Sequence, residues 1–260
     1  MQDFTASDCS SLSTTTSSSD NRKTMRDSRD GKLYKIAKLA DGNCWMVQNL
    51  RLNGGRTLTT ADSDVTDSRI LAGNIYDGVT ESTTSVQIYS GVTTNTTSSC
   101  RFTSCVTSDE PYGNLYNWYA ATATTGTSSM FSGDATDSVC PKGWKLPTSG
   151  TSSNYGANAP KKSYGYLMDS VLYFNQNSIA GTIASSKVQQ VQKSPLWFPL
   201  AGHYTNSGAT GQGEFARYWS RKAESESSAY NMYIGASNNW FAPQAASSKS
   251  DGYSVRCVFN

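Results

Sequence analysis

The sequence has little histidine and little charge, and both shortages exclude whole classes of function. Its 260 residues include one histidine, His203, and the formal net charge is only +2. With one imidazole and no paired CxxC modules, a zinc site has too few ligands. No block of basic residues points to nucleic acid, and no apolar run is long enough to span a bilayer. We therefore expect no metal, no nucleic-acid partner and no insertion into a membrane.

The residue patterns of common hydrolases are also missing. No GxSxG sequence frames a serine nucleophile, and His203 has no triad to join. Glu224 and Glu226 stand in a serine-rich run, where a solvated loop is a simpler interpretation than the paired carboxylates of a glycosidase. The sequence therefore predicts a protein that is not an enzyme and needs no cofactor.

Six cysteines stand in a chain rich in serine, threonine and asparagine. An even number in such a composition favours disulfides and an oxidising compartment over free thiols in the cytosol. Local position predicts one bond that clips a loop and one that anchors the N-terminal arm, which leaves the last two cysteines to pair. The expected pairs are Cys100–Cys105, Cys9–Cys44 and Cys140–Cys257.

The start of the chain does not look like a signal peptide. Met1 is followed at once by Gln2 and Asp3, with neither a basic segment nor an apolar one. Together with the cysteines, this favours a mature fragment of an exported precursor that was given a start methionine; a true cytoplasmic start is the alternative. We expect the protein to lie outside the cell or on its surface.

The chain divides into three kinds of sequence. Residues 1–26 form a Ser/Thr-rich extension that we expect to be held at Cys9. Residues 27–260 carry the apolar periodicity of a single domain. Within that domain, residues 53–110 are polar and poorly periodic, which indicates an insertion or a set of short strands.

Local patterns predict the main elements of the domain. The Asp41-Gly42 pair predicts a hairpin. Asn114 is the expected N-cap of a helix over residues 111–123, and a second helix is expected over residues 162–174. The expected strands cover residues 32–40, 43–52, 194–203, 215–220, 230–234 and 253–259.

The runs between the C-terminal strands carry Trp240 and Phe241 among Asn, Gln, Ser and Lys, in a segment too polar to be core. Tyr, Trp, Ser, Gly and Asn are the residue types that antibody-like binding surfaces favour. Because adjacent strand residues point in opposite directions, only one of Trp240 and Phe241 is expected to cover the core if the segment is a strand. The predicted ligand-binding residues are Arg217, Arg221, Lys222, Glu224, Tyr233, Asn238, Asn239, Trp240, Phe241, Gln244 and Lys249.

Several separated motifs resemble one family. They are DSRDGKLYKIAKLADGNCWMVQNL (27–50), YGNLYNWYAA (112–121), VCPKGWKLPT (139–148), FPLAGHY (198–204), RYWS (217–220) and GYSVRCV (252–258). In this order they resemble the Fibrobacter succinogenes major paralogous domain, an extracellular family related to formylglycine-generating enzymes. The resemblance implies an α+β, C-type-lectin-like fold, with two helices packed on small twisted antiparallel sheets and with its termini brought together. It also supports the Cys140–Cys257 bond.

A narrower resemblance is to the variable proteins of diversity-generating retroelements, which display a C-type-lectin-like C-terminal region that is rewritten at template adenines. Residues 217–251 are rich in types that adenine changes in an Asn codon reach, and they lie between the fixed-looking motifs YWS and GYSVRC. This resemblance implies a display protein that recognises a protein or glycan ligand through a hypervariable surface. We expect such a protein to be a monomer.

Three alternatives stand beside this prediction. Formylglycine-generating enzymes use two reactive cysteines near the C-terminal end of the domain, whereas Cys257 is the only cysteine after Cys140. A calcium-dependent sugar site around Asn238-Asn239-Trp240 would need acidic ligands, and residues 232–248 contain no Asp or Glu. A structural module of a cell surface or adhesin, or a carbohydrate-binding module, would fit the low charge and the Ser/Thr-rich extension equally well.

Overall fold

The computed structural model describes residues 1–52, 58–66, 76–77, 87–89, 112–124, 132–149, 159–172, 181–205 and 208–260. These residues form a mixed α+β fold in which short helices pack against two sheets. The helices are α1 (Ala6–Ser11), α2 (Trp118–Ala121), α3 (Tyr164–Leu172) and α4 (Ser185–Gln192). The α+β class predicted from the sequence is thus confirmed.

The first sheet is antiparallel and joins both ends of the chain. Its strands are β1 (Lys23–Arg26), β2 (Leu33–Lys38), β3 (Cys44–Met46), β8 (Trp144–Lys145) and β16 (Val258–Phe259), in the order β1-β2-β3-β16-β8. The predicted Asp41-Gly42 hairpin is confirmed as the turn between β2 and β3, where Gly42 has a φ of 79°. The rings of Phe4 and Phe259 lie 5.0 Å apart, so the two termini meet at this sheet.

The second sheet carries the C-terminal half of the domain. Its path runs β4-β5-β6-β15-β12-β13-β14-β9, while β10 and β7 also pair with β12 and β11 pairs with β10. Strands β12, β13 and β14 are the long ones and are antiparallel to one another. The strands are β4 (Tyr76–Asp77), β5 (Gln87–Tyr89), β6 (Leu115–Tyr116), β7 (Gly133–Asp134), β9 (Gly181–Thr182), β10 (Ala201–Thr205), β11 (Gly208–Gln212), β12 (Phe215–Ala223), β13 (Ser228–Gly235), β14 (Trp240–Ser248) and β15 (Tyr253–Ser254).

Two apolar cores lie on opposite sides of the central strands. One core packs helices α3 and α4 against the inner face of the second sheet, through Tyr218, Met232, Ile234 and Phe241. The other core contains Trp219, which stacks on Tyr253 with 4.2 Å between the ring centroids. Alternation along β12 places Tyr218 in one core and its neighbour Trp219 in the other.

Two of the three expected disulfides are confirmed, Cys9–Cys44 and Cys140–Cys257. The third expected pair, Cys100–Cys105, lies outside the described residues. The bond Cys140–Cys257 bridges 117 positions of sequence and ties the turn before β8 to the end of the chain. In the chain-entropy model, closing a loop of this length contributes about 5 kcal/mol.

The N-terminal extension packs on the domain at more points than its disulfide. Met1 and Phe4 are buried in the core that contains Trp219. The indole of Trp144 donates a hydrogen bond of 3.1 Å to the Met1 carbonyl. Helix α1 begins with a capping box at Thr5, whose hydroxyl accepts from the amide of Asp8.

The helix predicted over residues 111–123 is wrong in extent and in its cap. Leu115 and Tyr116 are strand residues that pair with β15, and helix α2 covers only Trp118–Ala121. The N-cap is Asn117, whose side chain accepts a hydrogen bond of 2.9 Å from the amide of Ala120. Two asparagines three residues apart both resemble caps, and pairing with the distant strand β15 selects the second.

The strand predicted over residues 194–203 also needs correction. Only Ala201–Thr205 is a strand, because Trp197 has a φ of 46°, which an extended strand does not allow. The helix predicted over residues 162–174 is confirmed as Tyr164–Leu172, and Phe174 lies outside the described residues. Helix α4 was not predicted, since Ser185–Gln192 has only two apolar residues, Val188 and Val191.

The largest error concerns residues 240–248, which the sequence placed in a polar run between strands. The structure forms the nine-residue strand β14 there, paired along β13. Its register shifts opposite Asn231 and Tyr233. Pro243, which has no amide hydrogen to donate, lies in β14 at this irregular part of the ladder. The strand is set by this pairing rather than by its own composition, which includes Pro, three Ala and two Ser.

Candidate functional site

The candidate site is the part of the outer face around Phe215 and Arg217, because α3 and α4 bury the inner face and the core that contains Trp219 covers the rest of the outer face along β12. On β12 and β13, the register pairs Phe215 with Gly235 and Arg217 with Tyr233. The alternate residues Ala216, Tyr218, Met232 and Ile234 point into the helix-covered core. Phe215, Arg217 and Tyr233 therefore share the face that helices leave open, and all three are partly exposed.

Arg217 is at the centre of a group of aromatic and polar side chains. Its guanidinium carbon lies 4.8 Å from the ring centroid of Tyr233 and 5.5 Å from that of Tyr253. Its Nη1 donates to Asn231 Oδ1 at 3.2 Å and to Ser247 Oγ at 3.0 Å. We call the following residues the Arg217 cluster: His203, Phe215, Arg217, Asn231, Tyr233, Ser247 and Tyr253.

The polar members of the cluster are held in place by their own hydrogen bonds. The amide nitrogen of Asn231 donates to the Ala245 carbonyl at 2.8 Å and to Ser247 Oγ at 3.0 Å, and Asn231 is fully buried. The Tyr253 hydroxyl donates to Asp251 at 2.8 Å. The bonds to Asn231 and Ser247 hold the Nη1 end of the Arg217 guanidinium in a fixed position, whereas its Nε is buried without a hydrogen-bond partner.

Aromatic contacts extend the cluster to β10. Phe215 lies between His203 and Tyr233, with centroid separations of 4.9 Å and 6.0 Å. Its ring packs so closely on Gly211 that a Cβ there would be 2.0 Å from it, and Gly211 has a φ of 74°. Glycine is thus required at this turn by both space and conformation. The β10–β11 hairpin supports one side of the cluster.

Gly235 links the cluster to the turn between β13 and β14. A Cβ on Gly235 would lie 2.2 Å from Asn238 Oδ1 and 2.7 Å from the Tyr233 hydroxyl. Both side chains therefore lie over the bare backbone of the same glycine. In the same turn, Asn239 has a φ of 50°, and Asn238 Oδ1 accepts from the Trp240 amide at 3.2 Å. The predicted residues Tyr233, Asn238, Asn239 and Trp240 thus form one end of the outer face.

The side chains of Trp240 and Phe241 point to opposite faces of the sheet, as strand alternation requires. Trp240 is 40% exposed, whereas Phe241 is 0% exposed and packs in the helix-covered core. The prediction that Phe241 contributes to the binding surface is corrected by this burial. The same prediction for Lys249 is also corrected. Lys249 is only 2% exposed, and its amine lies 4.5 Å from the ring centroid of Trp118.

Other predicted residues lie away from the Arg217 cluster. Arg221 Nε forms an ion pair of 3.1 Å with Asp134 on β7. The amine of Lys222 lies 5.4 Å from the ring centroid of Tyr230. Glu224 is exposed in the β12–β13 turn, where its amide donates to the Ser228 carbonyl. These residues belong to the opposite end of β12 from Phe215. Gln244 is partly exposed on β14.

Electrostatics within the cluster favour a neutral histidine. Burial and the nearby positive charge of Arg217 lower the pKa of His203, and the charge of Asp251 raises it by less. Burial is also the main cause of the raised pKa of Tyr253. At neutral pH the cluster therefore carries the charge of Arg217 together with uncharged rings and amides.

Sequence reasoning missed His203, Phe215, Asn231, Ser247 and Tyr253 as members of this site. His203 and Tyr253 stand in the motifs FPLAGHY and GYSVRCV, which entered the sequence analysis only through the family resemblance. Alternation along a strand places Asn231 on the same face as Tyr233, although Asn231 is not among the predicted ligand-binding residues. Bringing β10, β12, β13 and β15 side by side is a property of the tertiary fold.

A family model described as the Fibrobacter succinogenes major domain matches residues 39–258. The chain belongs to this family. The matched region includes the Cys140–Cys257 bond and every strand of the second sheet. No match was found among curated proteins or among solved structures.

The described residues contain no cluster of metal-ligating side chains. Among them, no three His, Cys, Asp or Glu side chains come together in a way that could hold a metal ion. No helix in the described part of the chain has the length and apolar character needed to cross a bilayer. What the outer face presents is a fixed cation, aromatic rings and amide groups, all of which are suited to contact with a ligand.

Proposed function

We propose that this member of the Fibrobacter succinogenes major domain family is an extracellular recognition protein that binds its ligand through the outer face of the C-terminal sheet. The observation that carries the proposal is the continuous surface from Arg217 through Tyr233 and Asn238 to exposed Trp240. Arg, Tyr and Trp are the residue types that dominate binding energy at interfaces. The two disulfides are typical of an oxidising, extracellular setting.

The scaffold supports this role by separating stability from recognition. The inner face of β12 and β13 is buried under α3 and α4, so outer residues can change without opening that core. We propose that the scaffold is C-type-lectin-like. The long-range Cys140–Cys257 bond and the meeting of the termini at Phe4 and Phe259 support this.

The same separation supports a variable-protein role. Residues 217–251 contain most of the outer face, including Arg217, Tyr233 and Trp240, and the buried residues Tyr218, Trp219 and Tyr253 lie within or beside this stretch. A near-copy of the coding segment for residues 214–257, found beside a reverse-transcriptase gene, would support diversification by a retroelement. A source genome with neither would overturn that part of the proposal and leave the binding role intact.

The binding role is tested with protein and glycan arrays probed by the wild type and by Trp240→Ala combined with Tyr233→Ala. We expect ligands that the wild type retains and the double variant loses. Leu33→Ala is the matched control, because Leu33 is an exposed apolar residue on the other sheet, at 48% exposure. Binding that survives the double variant, or no binding at all, would favour a structural cell-surface module instead.

A further inference from the structure

The charge of Arg217 is surrounded by neutral groups. Its Nη1 donates to the amide oxygen of Asn231 and to the hydroxyl of Ser247, and its guanidinium lies over the rings of Tyr233 and Tyr253. Arg217 forms no ion pair with any residue in the described part of the chain. A half-buried cation is thus fixed in place with no counter-charge bonded to it.

Arg22 shows what a compensated arginine looks like in the same protein. It lies 4.2 Å from the ring centroid of Trp197, and its Nη2 is 2.6 Å from Asp20 Oδ2. Both arginines therefore stack on an aromatic ring, but only Arg22 has a bonded carboxylate. The carboxylate beside the Arg217 cluster, Asp251, accepts instead from the Tyr253 hydroxyl.

The guanidinium keeps donor capacity for a ligand. Nη1 has hydrogen-bond partners and Nε is buried, so the donor capacity that remains for a ligand is that of Nη2, which has no hydrogen-bond partner among the described residues. Hydrogen bonds from arginine to a carboxylate are shorter and about twice as strong as neutral ones. Since Asn231 and Ser247 already fix the side chain, little rotamer freedom is lost when a carboxylate binds.

The rings of the cluster favour a protein ligand over a sugar. Tyr233 carries the Arg217 guanidinium over its ring, Phe215 packs between His203 and Tyr233, and Tyr253 stacks on Trp219. A sugar ring stacks on an open aromatic face, whereas each of these three rings already lies within 5 Å of the guanidinium or of another ring centroid. Arginine beside partly buried tyrosine is instead the composition of a protein-binding hot spot.

We propose that the ligand of the outer face is a protein surface that presents a carboxylate to Arg217. This inference rests on the binding role proposed above and adds the chemistry of the partner. The carboxylate pairs with the guanidinium, and Tyr233 and Trp240 contact the surrounding residues of the partner. We choose an acidic ligand because an acidic group complements the charge of a fixed cation that has no ion pair.

The test uses a displayed library of random peptides, selected on the immobilised wild-type protein and on Arg217→Gln. We expect peptides selected on the wild type to be enriched in Asp and Glu relative to the starting library, and this enrichment to be lost on Arg217→Gln. The best acidic peptide is then synthesised with its matched Asn or Gln twin. Arg22→Gln is the control variant, since it removes a stacked arginine whose charge is already paired.

Dissociation constants for both peptides on each variant form a double-mutant cycle. Removing the peptide carboxylate or Arg217 should each weaken binding about 10- to 100-fold, with little further loss when both are removed. Arg217→Lys keeps the charge without the planar fork and should recover part of the affinity. Thermal melts of each variant check that the fold is retained.

The outcomes separate the two proposals. Selected peptides that lack acidic residues, or that bind Arg217→Gln equally well, overturn the proposal that the ligand presents a carboxylate to Arg217. If those peptides still lose binding on Trp240→Ala, the outer face remains a recognition surface and only its ligand class was wrong. A selection that enriches no peptide on the wild type also overturns the inference.

Discussion

The two faces of the C-terminal sheet are built from the same strands and differ in almost everything else. On the inner face, Met232, Ile234 and Phe241 are fully buried against helices. On the outer face, Arg217 alternates with buried Ala216 and Tyr218, Tyr233 lies between Met232 and Ile234, and both are partly exposed. The comparison shows how period-two alternation lets neighbouring residues serve stability and recognition separately.

The largest expected effect is on the inner face. Phe241→Ala should lower the free energy of unfolding by about 3–5 kcal/mol, because it removes a fully buried ring from the helix-covered core. Its sequence neighbour provides the control: Trp240→Ala should change stability by less than about 0.5 kcal/mol while it weakens ligand binding. Urea unfolding monitored by circular dichroism measures both. Equal losses in the two variants would contradict the division between faces.

A smaller effect is expected at Gly235, where a methyl group would meet side-chain ends rather than backbone. The Asn238 amide and the Tyr233 hydroxyl can both move away from a new Cβ. Gly235→Ala should therefore cost about 1 kcal/mol of stability, at the low end of the range for overpacking. The displaced side chains should nevertheless reduce ligand binding.

A variant at a second glycine, Gly181, serves as a control for Gly235→Ala. Gly181 has open space around its missing Cβ, but its φ of 153° strains any other residue. Gly181→Ala should cost stability through the backbone and leave binding unchanged. Gly235→Ala with full binding and a large loss of stability would show that Tyr233 and Asn238 are rigid parts of the frame.

The smallest effect concerns pH and His203. Burial lowers the pKa of His203 in the folded protein below its ordinary value near 6.5. The unfolded chain therefore binds the proton more readily, and this contribution to stability is present above pH 6.5 and lost as pH falls through the folded pKa. His203→Phe, which stays neutral, should show a weaker fall in melting temperature between about pH 7 and pH 5 than the wild type. An equal fall in melting temperature between about pH 7 and pH 5 in the two proteins would contradict the burial of a neutral imidazole.

Much of the frame could be predicted from local sequence. The hairpin at Asp41-Gly42, the helix around Tyr164 and two disulfides follow from turn chemistry, periodicity and the position of cysteines. The cap at Asn117 could not, because the choice between two asparagines depends on the pairing of Leu115 with Ser254. Similarly, Trp240–Ser248 is a strand because Ser228–Gly235 offers it a partner along its whole length.

For the candidate site, too, some features follow from local sequence and others only from the tertiary structure. The sequence by itself determined that Arg217, Tyr233 and Trp240 stand in a C-terminal segment suited to contact, since residue type and alternation are local properties. Only the tertiary structure decided that Phe241 and Lys249 are buried and that His203 and Tyr253 lie beside Arg217. The physical reason is that burial and charge environment depend on which distant strands pack together, and β10, β12, β13 and β15 meet only in the folded sheet.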